Sequence, residues 1–573
     1  MFLKRKASCH FLWMAIVMMM AIFMGIVCSE RVASAPTTNT FKIWPLPEQY
    51  STGSVIGIIP NWKSFNIVFQ ENPLSQGDYD IISDALTRYG SMIFFSENVD
   101  SSSNCPDSFN HTTVYCLTRA VLTVNNPSKE MIPEPYLGMD ESYMINIDPS
   151  QGQAQLTANT VWGALRALES FSQLITPVDN LNGISFGKKY YTFGELLPIV
   201  VKDSPRFQWR GFLVDTARHY YSVKKLLQII DSLAYIKMNV FHWHIVDAQS
   251  FPLVVNGYPN LSGKGAYQKQ AIYSGEDILA IIEYGRRRGV RVVPEIDVPG
   301  HAGSWGFGYP EITANCPSYA HNINNIPLNV ANPKTYDVLA AVIKQLTLSG
   351  FTDKYYHFGG DELVMGCWLE DPTIRNFMKQ KGFTQPVQLL FYFEDILRTI
   401  YLPLNKTMIC WEELALEYGY SVPKDTIVHV WKERKTLLDV VQMGYQTLLS
   451  GGWYLDQQIP NRNQTFYEWV DTWINFYLND PTEGFGMPES QKKLVLGGEG
   501  AMWSEQVDDA NFDSRVFPRT LAIAERLWSP SSVTDITSAR IRMEYARCNV
   551  MVRRGVACGP VMPGYCQATY DNF

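Results

Sequence analysis

Eight apolar, strand-like runs recur between residues 211 and 503, and helical patterns separate them. The runs are Gly211–Asp215, Val240–Val246, Val290–Ile296, Tyr355–Glu362, Met408–Glu413, Ile427–Trp431, Thr447–Ser450 and Leu496–Trp503. Between the first two runs, Leu226, Ile230 and Leu233 follow Ser222 at helical spacing. Between the second and third, Ser274 to Asp277 forms a capping box, Ile278, Ile281 and Ile282 supply an apolar stripe, and Gly289 ends the helix. Eight strands alternating with helices predict an α/β fold, a (β/α)8 TIM barrel, whose reactive groups lie at the C-terminal ends of the strands.

The 573 residues exceed what one such core organises, so a second domain is expected. Residues 36–200 carry short strand-like runs such as Tyr143–Ile147 and one good helix, in which Val161, Leu165, Leu168 and Phe171 recur at helical spacing. This predicts a smaller α+β domain before a barrel domain with a C-terminal extension at 201–573, the pattern changing around Val201–Pro205. Ahead of both, Lys4, Arg5 and Lys6 precede an apolar run from Phe11 to Val27, an export signal. At 17 residues the run stands between a signal-peptide core and a membrane span. Residues 1–35 therefore read as a signal peptide cleaved after Ala33-Ser34-Ala35 or as an N-terminal membrane anchor, and either places the remainder in the lumen or outside. The final compartment stays open among extracellular, vacuolar or lysosomal and membrane-anchored. Sequons at Asn110, Asn260, Asn405 and Asn463 agree with that route, as do eight cysteines beyond the export segment with no CxxC pair. The cysteines predict local bridges with one or two thiols left over. A net charge of -8 argues against a nucleic-acid partner.

The strongest chemical signal is Tyr356-His-Phe-Gly-Gly-Asp-Glu362, two adjacent carboxylates after paired glycines at the end of the fourth run. Cleaving a glycosidic bond needs one carboxyl that donates a proton to the leaving oxygen and a second group that stabilises charge at the anomeric carbon. Two solvated acids at a strand end are the bland alternative. Against it stand the polar and aromatic residues at the ends of the other runs: Asp215 and Arg218, Asp247, Glu295 with Asp297 and His301, Trp411 with Glu412 and Glu413, Trp431, Tyr454 and Asp456, Trp503 and Glu505. His242 and His244 share one strand face and could imitate the His-x-His pair of barrel metallohydrolases, but no lysine and further histidines recur at the later strand ends, which favours a structural role for both.

With these residues assembled, the chain resembles the family-20 glycoside hydrolases, specifically the eukaryotic β-N-acetylhexosaminidases. The anchors are Arg210–His219, His242–Asp247, Pro294–His301, His357–Glu362, Trp453–Asp456 and Gly498–Glu505, in order and over nearly everything after the export segment. Ala248 departs from the pattern, since relatives often carry a second acid after Asp247. The resemblance implies an exo-acting, retaining enzyme for terminal GlcNAc or GalNAc, on N-glycans, chitin oligomers or other such substrates, in which the 2-acetamido oxygen replaces an enzyme nucleophile. It implies no cofactor and no metal, and it leaves homodimerisation open. Glu362 would be the general acid, Asp361 would accept the acetamido N–H, and Tyr454 would hold the carbonyl oxygen. Trp411, Trp431 and Trp503 would wall the acetamido methyl and the sugar face. Arg218 and Glu505 would bind ring hydroxyls, Asp456 the outer ones, and Asp247 and His301 would orient Arg218 and Asp361. The resemblance also pairs Cys105 with Cys116, Cys316 with Cys367 and Cys548 with Cys566, leaving Cys410 and Cys558 reduced. Asp215 and Glu295 are left outside the site as buried ion-pair members. Two rivals remain: a sugar-binding descendant without catalysis, which has no need of Asp361, Glu362 and Tyr454 together, and an endo-acting chitinase, which needs an open cleft.

Overall fold

The apolar runs close into a barrel. A computed structural model describes residues 41–70, 74–96, 98–101, 114–181, 184–457 and 473–566. Among the described residues, the strands before the barrel are β1 (Gln49–Ser51), β2 (Ile56–Ile59), β3 (Asn66–Phe69), β4 (Val114–Cys116), β5 (Arg119–Val124), β6 (Tyr143–Ile147), β7 (Ala154–Ala158), β8 (Ile175–Leu181), β9 (Ile184–Phe193) and β10 (Ile199–Asp203). The barrel strands are β11 (Trp209–Asp215), β12 (Val240–Val246), β13 (Arg291–Ile296), β14 (Tyr355–His357), β15 (Thr407–Trp411), β16 (Ile427–Val430), β17 (Gln446–Leu449) and β18 (Val495–Met502). They pair in sequence order, all parallel, and β18 returns to β11. Each run of the sequence holds one of these strands. The fourth and fifth are shorter than expected: β14 stops at His357, and Glu412 opens a short helix instead of extending β15.

Inward side chains fill the barrel in three layers. At the N-terminal end Trp209, Val240, Val293, Ile409, Ile427, Leu448 and Leu496 form an apolar plug. One pleat period further along lie His242, Glu295, His357, His429 and Glu499, all essentially without exposure. Leu213, Trp411 and Ala501 form the third layer, with Trp431, Tyr454 and Trp503 packed on it. The ionisable middle layer needs room, and Gly211 supplies some: a Cβ there would lie 2.3 Å from the Glu499 carboxylate. The helices follow their local signals. Ser222 caps Val223–Tyr235 by accepting from the Lys225 amide, and Ser274 with Asp277 forms the capping box of Gly275–Arg286.

The region before the barrel holds a six-stranded sheet, order β1-β10-β6-β7-β5-β3, and a four-stranded one, β4-β2-β9-β8. Strand β10 runs on to Asp203, so residues 201–203 complete the sheet before the chain crosses to β11. Helix Val161–Leu174 is buried along its whole length because it lies between sheet and barrel: Arg166 on it donates to the Gly289 carbonyl at 2.9 Å. The sequence reading of one good helix here is corrected by a second, Gln76–Ile93, capped by Ser75. The expected bridges Cys316–Cys367 and Cys548–Cys566 form, and Cys410 and Cys558 are free and buried. Cys105 and the export segment lie outside the described residues. Among the described residues no helix is long and apolar enough to cross a membrane.

The Glu141 carboxylate joins the two regions. It accepts from Arg166 at 2.9 Å, from Arg210 at 2.6 and 2.7 Å and from Asn239 at 3.2 Å. Burial alone would raise its pKa, but Arg210 and Arg166 outweigh that and hold it below its ordinary 4.5. Glu141→Ala leaves two buried guanidinium groups short of their partner and is expected to cost about 3 to 5 kcal/mol in chemical denaturation near neutral pH. Because the folded value is the depressed one, this stabilisation is full above the unfolded pKa and is lost as pH falls through the folded value. The difference between variant and wild type should therefore shrink in acid.

Candidate active site

Loops at the C-terminal ends of the barrel strands surround a cavity of about 290 Å³. All the residues assigned to the site from sequence line it except Asp247, which lies fully buried behind Arg218. Trp411 is the floor, its ring 4.5 Å from His357 and 4.4 Å from His429 of the layer below. Trp431 and Trp503 stand as half-buried walls with Tyr454 beside Trp431. Burial, with Asp361 and Asp456 nearby, pushes the Tyr454 phenol above its usual range, so it remains an O–H donor.

Strain concentrates where the two carboxylates emerge. Gly359 has φ 67°, and a Cβ on it would lie 1.8 Å from Asp297 Oδ1. Gly360 has φ 96° and donates its amide to that same oxygen at 3.1 Å. Glu362 and His301 also adopt positive φ, 46° and 48°, which side-chain-bearing residues avoid unless their surroundings enforce it. This turn ends β14 early and separates the two acids. Asp361 points inward, its side chain 13% exposed, whereas that of Glu362 is 59% exposed at the rim. Asp361 Oδ1 is buried and has no hydrogen-bond partner among the described residues.

Fixed partners hold the polar wall. Arg218 reaches Asp247 at 2.9 Å, Asp215 at 3.1 Å and Gln249 at 3.0 Å, with Glu505 at 3.7 Å and the guanidinium 5.2 Å from the Trp503 ring centre. Asp215, left out of the site by the sequence reading, thus fixes a residue that lines it. His301 Nδ1 lies 3.2 Å from Asp247, and its Nε2 lies 3.7 Å from Glu362 and 3.9 Å from both Asp361 and Asp297. Burial pulls the His301 pKa down, but Asp247 and Asp361 outweigh it and carry it to about 9. Burial, with Asp361 and Glu295 adding, pushes Asp297 well above the usual carboxylate range, so it stays protonated beside Asp361.

Three further residues belong here. Asp297 was visible as a polar strand end but was assigned no role, and Gln457 lines the rim without any sequence signal beyond following Asp456. Glu413 accepts from the Trp431 indole at 3.0 and 3.1 Å and fixes that wall; burial, with Asp361 adding, raises its pKa to about 7. Burial, with Glu505 adding, likewise brings Asp456 to about 6. Several clusters hold three ligand-type side chains within 4.8 Å, among them His242, Glu295 and His357. His242 and His244 face carboxylates whose charge outweighs burial and raises their pKa values to about 9 and 10. Near neutral pH they carry protons where a metal ligand needs a lone pair.

Residues 207–531 match the catalytic domain of glycosyl hydrolase family 20, and residues 43–174 match the domain described as beta-acetyl hexosaminidase like. The chain belongs to family 20. It is 39% identical to beta-hexosaminidase subunit A1 of Dictyostelium discoideum over 558 residues, covering 97% of this chain and 95% of that protein. With human beta-hexosaminidase subunit beta the identity is 35%, covering 96% and 94%. The chitobiase of Flavobacterium johnsoniae superposes with TM-score 0.72 at 30% identity, over 89% of this chain and 72% of that one. This family-20 chain is therefore a glycoside hydrolase for terminal N-acetylhexosamine, built on a TIM barrel behind a smaller N-terminal domain.

Gly359→Ala should displace the whole Gly359–Glu362 turn, since the new methyl group cannot share space with Asp297. Misplacing reacting groups by about 1 Å costs on the order of a hundredfold, and a loss of that size in kcat/KM is expected together with a lower melting temperature. Wild-type kinetics in this variant would show that the turn is not held as described.

Proposed function

We propose that this family-20 chain works from the non-reducing end of GlcNAc- or GalNAc-terminated glycans with the substrate's own acetamido group as nucleophile, Glu362 as general acid and Asp361 as the acetamido partner. The observation that carries this reading is the buried, unpartnered Asp361 Oδ1 in a cavity of about 290 Å³. A buried acceptor without a donor is costly, and an amide N–H from the ligand satisfies it. The cavity suits one sugar ring with its acyl arm rather than a glycan threading through, and the tightly held Arg218 is suited to the hydroxyls of a terminal residue.

In the first step Glu362 gives its proton to the glycosidic oxygen as the bond to C1 breaks and the acetamido oxygen bonds to C1. The product is an oxazolinium ion whose N–H faces the Asp361 carboxylate. Asp297, kept protonated by burial and its acidic neighbours, stands beside that carboxylate. Tyr454, kept as a donor, directs the acetamido oxygen toward C1, and the three tryptophans confine the methyl group. In the second step the Glu362 carboxylate takes a proton from water as that water attacks C1, which restores the acetamide and gives net retention. The exposure of Glu362 at the rim agrees with this alternation, because leaving group and water both pass there. Asp247 and His301 act behind the acid rather than on the sugar.

Two broader readings follow from the chain outside the site. Asn260 and Asn405 are exposed sequons, which supports the secretory route read from the N-terminal segment. N-glycans and chitin oligomers both present the terminal residue the cavity suits.

Glu362→Gln should depress kcat/KM on unactivated oligosaccharides far more than on an aryl glycoside with a good leaving group, which needs little protonation. Asp361→Asn should harm both alike, by about 3 kcal/mol if the lost charge resembles a lost oxyanion-hole donor. Identical leaving-group dependence in the two folded variants would reverse or remove these roles. Equal turnover of a substrate lacking the 2-acetamido group would overturn substrate assistance.

A further inference from the structure

Behind the general acid, side chains of alternating charge descend into the barrel. Glu362 lies 3.7 Å from His301 Nε2, and His301 Nδ1 lies 3.2 Å from Asp247 Oδ1. The other oxygen, Asp247 Oδ2, is 2.8 Å from His244 Nε2, and His244 Nδ1 is 2.7 Å from Glu295 Oε2. Beyond it, His242 lies 3.1 Å from Glu295 and 2.5 Å from Glu499, whose second oxygen accepts from the Trp209 indole at 3.0 Å. Below His301 every member is fully buried, so among the described residues each carboxylate has only its imidazole neighbours, Arg218 and nearby backbone or indole N–H groups to hold it.

Resting on Glu362 as the general acid, we propose that His244 and Glu295 are positioning residues for that acid, acting through Asp247 and His301. The geometry assigns the task. His244 occupies Asp247 Oδ2, and Glu295 in turn fixes the plane of the His244 ring from its far side. Asp247 is thereby held with Oδ1 toward His301, which keeps the His301 Nε2 edge aimed at Glu362. No proton passes along the line; its charges and hydrogen bonds hold His301 protonated and in place while Glu362 gives up and regains its own proton. Asp297 adds its own interaction with Asp247 and Glu295. His244 faces Asp247 and Glu295, with the Trp503 ring edge-on at 5.0 Å. Asp247 also meets Arg218, and Glu295 also meets His357 at 3.0 Å. His301 also faces Asp361, Asp297 and Arg218. His244, its pKa raised to about 10 by the two carboxylates despite burial, supplies a cation across the working range.

Two substitutions separate the contacts, because an asparagine amide imitates imidazole Nδ1 and a glutamine amide imitates Nε2. His244→Asn keeps the side toward Glu295 and loses Asp247. His244→Gln keeps Asp247. The Asn variant is expected to lower kcat/KM on a chitin oligosaccharide about tenfold or more but less than about threefold on an activated aryl glycoside, a part of what general acid catalysis contributes. The Gln variant should stay within about threefold of wild type on both. Both remove a cation from the line, so the alkaline limb of the oligosaccharide pH profile should move to higher pH in each. Melting temperatures establish that the variants are folded. If the Asn variant fails to fold, Glu295→Gln keeps the volume, weakens the grip on His244, and should lower the oligosaccharide rate selectively by a few-fold. Equal losses on the two substrates, or an unmoved alkaline limb, would overturn the proposal. Glu362→Gln measured alongside keeps the two readings apart: if it lacks leaving-group dependence, the acid assignment fails, whereas if it has that dependence and the His244 variants do not, only the positioning role fails.

Discussion

The carboxylate of Glu295 sits at the centre of the barrel with no solvent exposure, and much of the interior is arranged around that fact. An isolated ion there would be prohibitively costly, so it must be paired. His242, His244 and His357 approach it from β12 and β14. Once His242 and His244 are charged, they need further carboxylates, and Glu499 and Asp247 supply them. Glu499 needs space, which is why β11 has Gly211 where a side chain would collide. His429 settles the balance by staying neutral: burial outweighs its neighbours and lowers its pKa to about 3. Within such a layer, removing one partner weakens the hold on the next. It gives Trp411, resting on His357 and His429, a floor whose position is dictated from below.

Above that floor the priorities reverse. The turn from Gly359 to Glu362 and the loop carrying His301 hold residues in backbone conformations they would not choose, and β14 is reduced to three residues to allow it. Strain of this sort persists only where the surroundings over-determine it. Here the restraints are the Gly360 amide on Asp297, the Cys316–Cys367 bridge between the loops after β13 and β14, and the ionic layer beneath. The result is that two sequence neighbours, Asp361 and Glu362, experience different media. One is enclosed and faces a protonated acid; the other stands at the solvent edge. Adjacent carboxylates can take different roles because the backbone between them does not continue as a strand.

Much of this was legible in the sequence because barrel strands buried on both faces leave long apolar runs, and the residues at their C-terminal ends converge by topology alone. Arg218, Tyr454 and Trp503 lie far apart in the chain and share one cavity for that reason. What escaped follows from the same logic. Helix Gln76–Ile93 went unread although Ile81, Ile82, Ala85, Tyr89 and Ile93 are its buried face, because its polar face is as prominent as its apolar one. Glu295 and Asp215 read as ordinary ion-pair members, since nothing local reveals that the partner of one lies in a line to Glu362 or that the partner of the other lines the cavity. Asp297 and Glu413 act on Asp361 and Trp431 from neighbouring strands, and no spacing within a single motif encodes a contact across a barrel. The early end of β14 was hidden because paired glycines mark close approach without saying which atom approaches; here it is Asp297 Oδ1.

The N-terminal region meets the barrel at the end opposite the cavity. Glu141 bonds Arg210 and Asn239, which stand where β11 and β12 enter, and Arg166 reaches the carbonyls of Arg288 and Gly289 just before β13. Asp203, the last residue of β10, holds Lys237 and the Trp528 indole in the same zone. In this fold residues at the entering end of the strands bear on stability, and residues at the leaving end bear on chemistry. The division has a consequence for specificity. The cavity is lined by side chains on several different strand ends, each followed by its own loop, while the ionic layer and the N-terminal brace fix the strands that carry them. Gln457 and Glu505 at the rim can therefore vary without disturbing the pairing of Glu295, whereas a change at His242 or Gly211, neither of which lines the cavity, propagates through charge and volume to the floor of the site.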